Sequence, residues 1–115
     1  MPIFDPARFL DIAKELTSGP GDESHLRTAA GRAYYATHLR ARETLVASGD
    51  FRPEQKGEDH QTVIEKLRER GGPEGDILDR LRNLRRRADY RLNVKVGDLE
   101  VSRAIELADA IWPRI

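Results

Sequence analysis

The feature that most constrains the fold is a long stretch without helix breakers. From Leu26 to about Ser48 there is no proline, and Gly31 is the one interior glycine. Small and apolar residues recur through this stretch at helical spacing, namely Ala29, Ala30, Ala33, Tyr34, Ala36, Thr37, Ala41 and Leu45. Because a stripe of small residues lets another helix approach closely, the pattern predicts a long, tightly packed helix. Periodicity alone leaves open whether the neighbouring helix belongs to the same chain or to a partner.

Start and stop signals predict further helices on both sides of this one. Predicted starts are Asp5-Pro6, Asp22 or Ser24, Asp59 and Asp98; predicted stops are the 17–21 segment, Gly49, Gly71-Gly72-Pro73 and Pro113. The 93–97 segment is the one short β-like stretch, and we interpret it as a loop. The sequence therefore predicts an all-α fold, an up-and-down bundle of four to five helices, as a single domain over residues 1–115.

Composition excludes several classes of protein. The chain has 115 residues and no cysteine, so disulfide scaffolds, thiolate metal sites and cysteine nucleophiles are excluded. Apolar runs are only a few residues long, and no basic segment precedes an apolar stretch at the N-terminus, so we expect neither a membrane span nor a secretory signal. A cytoplasmic protein fits these features.

Metal and cofactor patterns are not found in the sequence. His25, His38 and His60 form no i, i+4 pair with one another, and none lies in a cluster of carboxylates. No glycine-rich phosphate-binding loop follows a strand pattern. We therefore expect neither a metal nor another cofactor.

The densest charge cluster is the segment 80–91, which holds six arginines although the formal net charge of the chain is zero. Helical spacing places Arg85 at the edge of the apolar face, four residues before Asp89 and next to Tyr90. An inward-facing arginine needs an acceptor, so these three residues predict a polar group at a seam of the bundle. Arg82 and its neighbours Arg86 and Arg87 are predicted to form a solvated basic surface, a common use of charged helix faces.

The long helix contributes a second group of candidate residues. Arg32 and Tyr35 are i, i+3 neighbours on one face, and Tyr35 has the same spacing to His38. Tyr34 belongs to the small-residue stripe and is predicted to lie in the core. Arg32 and His38 point about 120° apart on a straight helix, so they are not predicted to act as a pair.

Several of these motifs, in this order, resemble the HEPN superfamily and its small stand-alone prokaryotic branch. They are Arg32-Ala-Tyr-Tyr-Ala, then Arg42 and Leu45, then Asp59-His60, then Leu84-Arg85-Arg-Arg-Ala-Asp89-Tyr90. The resemblance covers roughly residues 24–112. It implies an up-and-down four-helix bundle, often a homodimer, found as a metal-independent ribonuclease or as a binding subunit. It also implies a minimal nucleotidyltransferase as a possible partner, in toxin–antitoxin or phage-defence systems.

The sequence departs from the catalytic pattern of that family. The family's ribonucleases carry an R-x4-6-H motif, whereas the segment from Arg82 has Asp89 at the histidine position. An ionised aspartate cannot donate a proton at neutral pH as histidine can. His60, at a predicted helix start, is the other candidate acid or base. Catalytic residues therefore remain unassigned.

Three functions follow from these residues. The first is a non-catalytic module that binds RNA, a nucleotide or a nucleotidyltransferase partner through Arg32, Tyr35, His60, Arg82, Arg85, Asp89 and Tyr90. The second is a metal-independent ribonuclease toxin that acts as a dimer. The third is a structural interaction module whose arginine row meets an acidic protein. The missing histidine favours the first.

Overall fold

The long helix is present and occupies the centre of the fold. The computed structural model describes residues 3–19, 21–53 and 59–115. The long helix, α2, spans Glu23–Ala47, and the Asp22 carboxylate accepts hydrogen bonds from the backbone N–H groups of Ser24 and His25. Gly49 follows its C-terminal end with φ of +81°, a conformation that glycine adopts without strain. The predicted start at Asp22 and stop at Gly49 are thus confirmed.

The other helices also lie where the start and stop signals place them. They are α1 (Ala7–Thr17), α3 (His60–Glu69), α4 (Glu74–Tyr90) and α5 (Asp98–Ile111). The described residues contain no strand, so the all-α fold is confirmed and the segment 93–97 is a loop. Pro113 lies inside a short 3-10 turn, Trp112–Arg114, that extends the last helix. No helix among the described residues is long and apolar enough to cross a lipid bilayer.

Neither Asp59 nor Asp98 caps a helix with its side chain. Asp59 makes no capping hydrogen bond, and its carboxylate instead accepts from Nε of Arg42 on α2 at 3.2 Å. Asp98 lies in the first turn of α5, and Gly97 occupies the capping position without a side chain to cap with. Asp59 thus occupies the predicted capping position without a side-chain cap, and the predicted cap at Asp98 is wrong by one residue. Asp98 still favours the helix start, because a negative charge stabilises the positive end of the helix dipole.

The small-residue stripe of α2 packs inside the chain. All eight of its residues are buried, and α2 contacts each of the other four α-helices. Periodicity left open whether this face packs within the chain or against a second copy. In the structure it packs within the chain. The C-terminal end of α4 lies beside the N-terminal end of α2, because Arg27 donates hydrogen bonds to the Ala88 and Arg91 carbonyls.

Gly75 marks the closest approach between α3 and α4. A Cβ built on this buried glycine would lie 2.5 Å from Cγ of Arg68 and 2.8 Å from the carbonyl oxygen of Ile64. We expect Gly75→Ala to lower the free energy of unfolding by about 1–3 kcal/mol, because the helices must separate to admit the methyl group. Urea denaturation monitored by circular dichroism measures this. Gly19→Ala, where nothing lies within 4 Å, is the control, and equal stability of the two variants would contradict the close packing.

Candidate functional site

Helices α2 and α4 bring most of the predicted site residues together. Arg32 and Tyr35 lie on α2, Arg82, Arg85, Asp89 and Tyr90 lie on α4, and His60 begins α3. The side chains differ in their access to solvent: Arg85 is 17% exposed and Asp89 34%, whereas Tyr90 is 68% exposed. The group therefore runs from the protein surface into the seam between the helices.

Arg85 is the centre of this group. Its Cζ lies 5.9 Å from the ring centroids of both Tyr34 and Tyr35 and 5.6 Å from that of Tyr90. Its Nε lies 2.8 Å from Oδ2 of Asp89, but the N–H does not point at that oxygen, so the contact is an ion pair without an aligned hydrogen bond. The predicted inward orientation of Arg85 and its pairing with Asp89 are confirmed. Cation–π contacts with three rings help to stabilise a guanidinium in this partly dehydrated position.

Arg32 approaches the same site from α2. Its Cζ lies 5.6 Å from the Tyr35 ring centroid and 5.2 Å from that of Phe9 on α1. No carboxylate among the described residues pairs with Arg32. Arg32 thus carries a positive charge that is positioned by aromatic rings and that no carboxylate in the described part of the chain neutralises.

Arg32, Tyr35, Arg85 and Asp89 line a cavity of about 180 Å³, together with Thr28 and Gly31. We call this the Arg32–Asp89 cavity. Two guanidinium groups and one carboxylate surround it, so its walls carry a formal charge of +1. An aromatic ring and an unsubstituted glycine backbone form the rest of the wall. Such a site can hold a planar or anionic group of modest size.

A second cluster lies deeper and joins His60, a predicted site residue, to His38, which was not predicted to belong to a site. The rings of His38 and His60 are stacked 4.3 Å apart and tilted by 30°, and the Tyr34 hydroxyl lies 2.5 Å from Nδ1 of His60. His38 and His60 are 5% and 6% exposed. His60 begins α3, and this helix start is buried against α2. One signal for this pair was available in the sequence. His38 lies four residues after Tyr34, which belongs to the small-residue stripe.

His38 is uncharged in the folded protein. Burial, followed by the nearby positive charges of His60, Arg42 and Arg82, lowers its pKa to about 3, although Asp59 opposes the shift. Its Nδ1 is buried and has no hydrogen-bond partner among the described residues. A buried nitrogen of this kind costs about 1–3 kcal/mol, so the cluster is a site of strain in an otherwise well-packed core.

The arginines of α4 do not form one uniform surface. Arg82 Nη1 donates to Oε1 of Gln61 on α3 at 3.1 Å while its Nε is buried, so the prediction of full solvation is wrong for Arg82. Arg87 pairs with Glu100 on α5 at 2.9 Å. Arg86 is exposed. Arg82 lies three residues before Arg85 and four before Arg86, so helical spacing makes it a neighbour of both, and positive charge continues from the cavity along α4.

Comparisons with known proteins and a search for metal sites add no assignment. No family model, curated protein or solved structure matches the chain. Within the described ranges, no three histidine, aspartate or glutamate side chains form a group that could hold a metal ion.

Proposed function

We propose that the chain is a HEPN-like up-and-down bundle that binds single-stranded RNA or a nucleotide without cleaving it. The observation that carries this proposal is the Arg32–Asp89 cavity, in which Arg32 and Arg85 flank the ring of Tyr35. Proteins that bind single-stranded nucleic acids combine cationic side chains for the backbone with aromatic rings for the bases. The positive charge that continues along α4 offers further contacts for phosphates.

The burial of the histidines and the low pKa of His38 support a site that does not cleave RNA. General acid–base catalysis needs a group that reaches the substrate and exchanges a proton near neutral pH. His38 and His60 are almost fully buried, and the pKa of His38 is about 3. Asp89 occupies the position where the resembling ribonucleases carry histidine. These features favour a binding site over a ribonuclease site.

Arg32→Ala is expected to weaken RNA binding about tenfold, a loss of about 1.4 kcal/mol. The change removes a charge that pairs with no described carboxylate, so it should leave the fold intact. The slope of log affinity against log salt should fall by about 0.7, because one phosphate contact to a single strand is lost. Fluorescence anisotropy with a short labelled single-stranded RNA, repeated at several salt concentrations, measures both quantities.

The matched control is Arg103→Ala, which removes the same charge from α5. Arg103 is half exposed and lies 3.5 Å from Glu106, away from the cavity residues in the sequence. It should change affinity less than twofold. Equal losses for Arg32→Ala and Arg103→Ala would indicate non-specific attraction to positive charge and would contradict a site at the cavity.

A cleavage assay tests the non-catalytic part of the proposal. Total RNA and transfer RNA are incubated with the protein in EDTA, which suppresses contaminating metal-dependent nucleases. We expect no cleavage by the wild-type protein. Cleavage that is lost in Arg85→Ala or His60→Ala would instead establish a metal-independent ribonuclease.

The homodimer, the nucleotidyltransferase partner and the toxin–antitoxin or phage-defence setting are proposals that rest on the family resemblance. Light scattering of the purified protein tests the dimer.

The third function, binding of an acidic protein by the arginine row, predicts a salt-sensitive protein complex that RNA does not displace. Displacement by RNA would favour the proposed function.

A further inference from the structure

Asp89 presents an acceptor to the Arg32–Asp89 cavity that no part of the described chain uses. No N–H or O–H among the described residues donates an aligned hydrogen bond to its carboxylate, and the ion pair with Arg85 joins Nε to Oδ2 at 2.8 Å. Oδ1 lies 3.6 Å from the position that a Cβ on Gly31 would take. Because residue 31 has no side chain, the space in front of Oδ1 stays open to the cavity.

The volume of the Arg32–Asp89 cavity limits the size of the group that can enter it. Pockets that enclose whole cofactors or drug-sized ligands measure about 300–1,000 Å³. The Arg32–Asp89 cavity, at about 180 Å³, is smaller and suits one nucleobase or one phosphate. A phosphate would place its negative charge against the Asp89 carboxylate, which is unfavourable at such short range. A base avoids this repulsion and can stack on the ring of Tyr35, while the Arg32 guanidinium contacts a neighbouring phosphate.

We propose that the cavity recognises a guanine base of single-stranded RNA, with Asp89 as the residue that determines specificity. This inference rests on the proposed function. A carboxylate offers two oxygens and no donor, and each oxygen has more than one acceptor position, so Oδ2 can accept while it stays paired with Arg85. Guanine carries two adjacent N–H donors, N1–H and N2–H, on its Watson–Crick edge. Adenine, cytosine and uracil each present a ring nitrogen or carbonyl acceptor next to their donor, which would face the carboxylate unfavourably.

The test uses four short uridine-rich oligonucleotides that differ at one central position, which is guanosine, adenosine, cytidine or uridine. We expect the wild-type protein to prefer the guanosine oligonucleotide by roughly 5- to 100-fold, the discrimination of a good bidentate contact. Inosine at the same position lacks the N2 amino group and should lose most of that preference. This substitution is made in the RNA, so it tests the inference without altering the protein.

Asp89→Asn is the matched protein variant, because it keeps the size of the side chain and exchanges one acceptor for a donor. It should abolish the preference for guanosine, so that the guanosine oligonucleotide binds no more tightly than the other three. If Asp89→Asn tightens the binding of all four alike, a phosphate occupies the cavity and the inference is overturned. Equal wild-type binding of all four, still weakened by Arg32→Ala, overturns the inference and leaves the proposed function standing. Failure to bind any of them contradicts both.

Discussion

Arg27→Ala is expected to lower the free energy of unfolding by about 2–3 kcal/mol, because a charged donor that serves several carbonyl groups is removed from a partly buried position. The Arg27 side chain is 16% exposed. Its guanidinium donates to the carbonyl oxygens of Ala88, Arg91 and Val94 at 2.6–3.1 Å and to Oε2 of Glu23 at 2.8 Å. Alanine would leave three carbonyls and a carboxylate without this donor.

The loss should be concentrated at the C-terminal end of α4. The last carbonyls of a helix have no partner within the helix, and Arg27 supplies one while its charge complements the negative end of the helix dipole. Asp89 and Tyr90 lie in this final turn. Amide hydrogen exchange should therefore accelerate most over residues 88–94, and RNA affinity should fall although Arg27 does not line the cavity.

Two controls distinguish the loss of the hydrogen-bond network from the loss of a positive charge. Arg27→Lys keeps the charge but has no planar fork that reaches several carbonyls at once, so it should recover less than half of the loss. Arg103→Ala removes an exposed arginine and should change stability by less than about 0.5 kcal/mol. A loss below about 1 kcal/mol for Arg27→Ala would show that water replaces Arg27 at little cost, contrary to the expectation.

The Arg27 network also shows what the sequence could not reveal. Its carbonyl partners lie 61–67 residues away along the chain, and they are backbone atoms that no residue type identifies. The Arg85–Asp89 pair, in contrast, was predictable because helical geometry fixes the relation of residues four apart. The same holds for the cap at Asp22 and the stop at Gly49, where the signal and its effect are adjacent.

The missing side-chain cap at Asp59 has the same origin as the missed histidine pair. Asp59 has the residue type of a helix cap, but its carboxylate pairs with Arg42, which lies 17 positions earlier on another helix. His38 and His60 are 22 positions apart and meet because α3 packs on α2. Periodicity identifies which face of a helix is buried. The residues that this face contacts depend on how the helices pack against one another.

The buried histidine leads to the second large effect, a loss of stability in acid. In the folded protein the pKa of His38 is about 3, lowered first by burial and then by electrostatic interactions with His60, Arg42 and Arg82, with Asp59 opposing the shift. In the unfolded chain the same group has its ordinary pKa of 6.5. Between these values the unfolded chain binds a proton at His38 and the folded protein does not.

Stability must therefore fall as the pH falls. The contribution of His38 is unaffected above pH 6.5 and declines below it by up to about 1.4 kcal/mol per pH unit, because unfolding takes up one proton. The accumulated loss approaches about 5 kcal/mol near pH 3, which is comparable to the whole stability of many domains of this size. Urea denaturation at intervals from pH 8 to pH 4 measures the slope directly.

His38→Phe isolates this contribution, because it keeps an aromatic ring beside Tyr34 and His60 and removes the titrating group. At pH 8 its stability should lie within about 1 kcal/mol of the wild-type value, since the added ring volume is offset by the removal of an unpaired buried nitrogen. Towards pH 4 it should become the more stable protein. His25→Gln, which removes an exposed histidine, should keep the wild-type decline. Parallel pH curves for wild type and His38→Phe would mean that His38 can take up a proton in the folded protein, so that the cluster opens to water before the bundle unfolds.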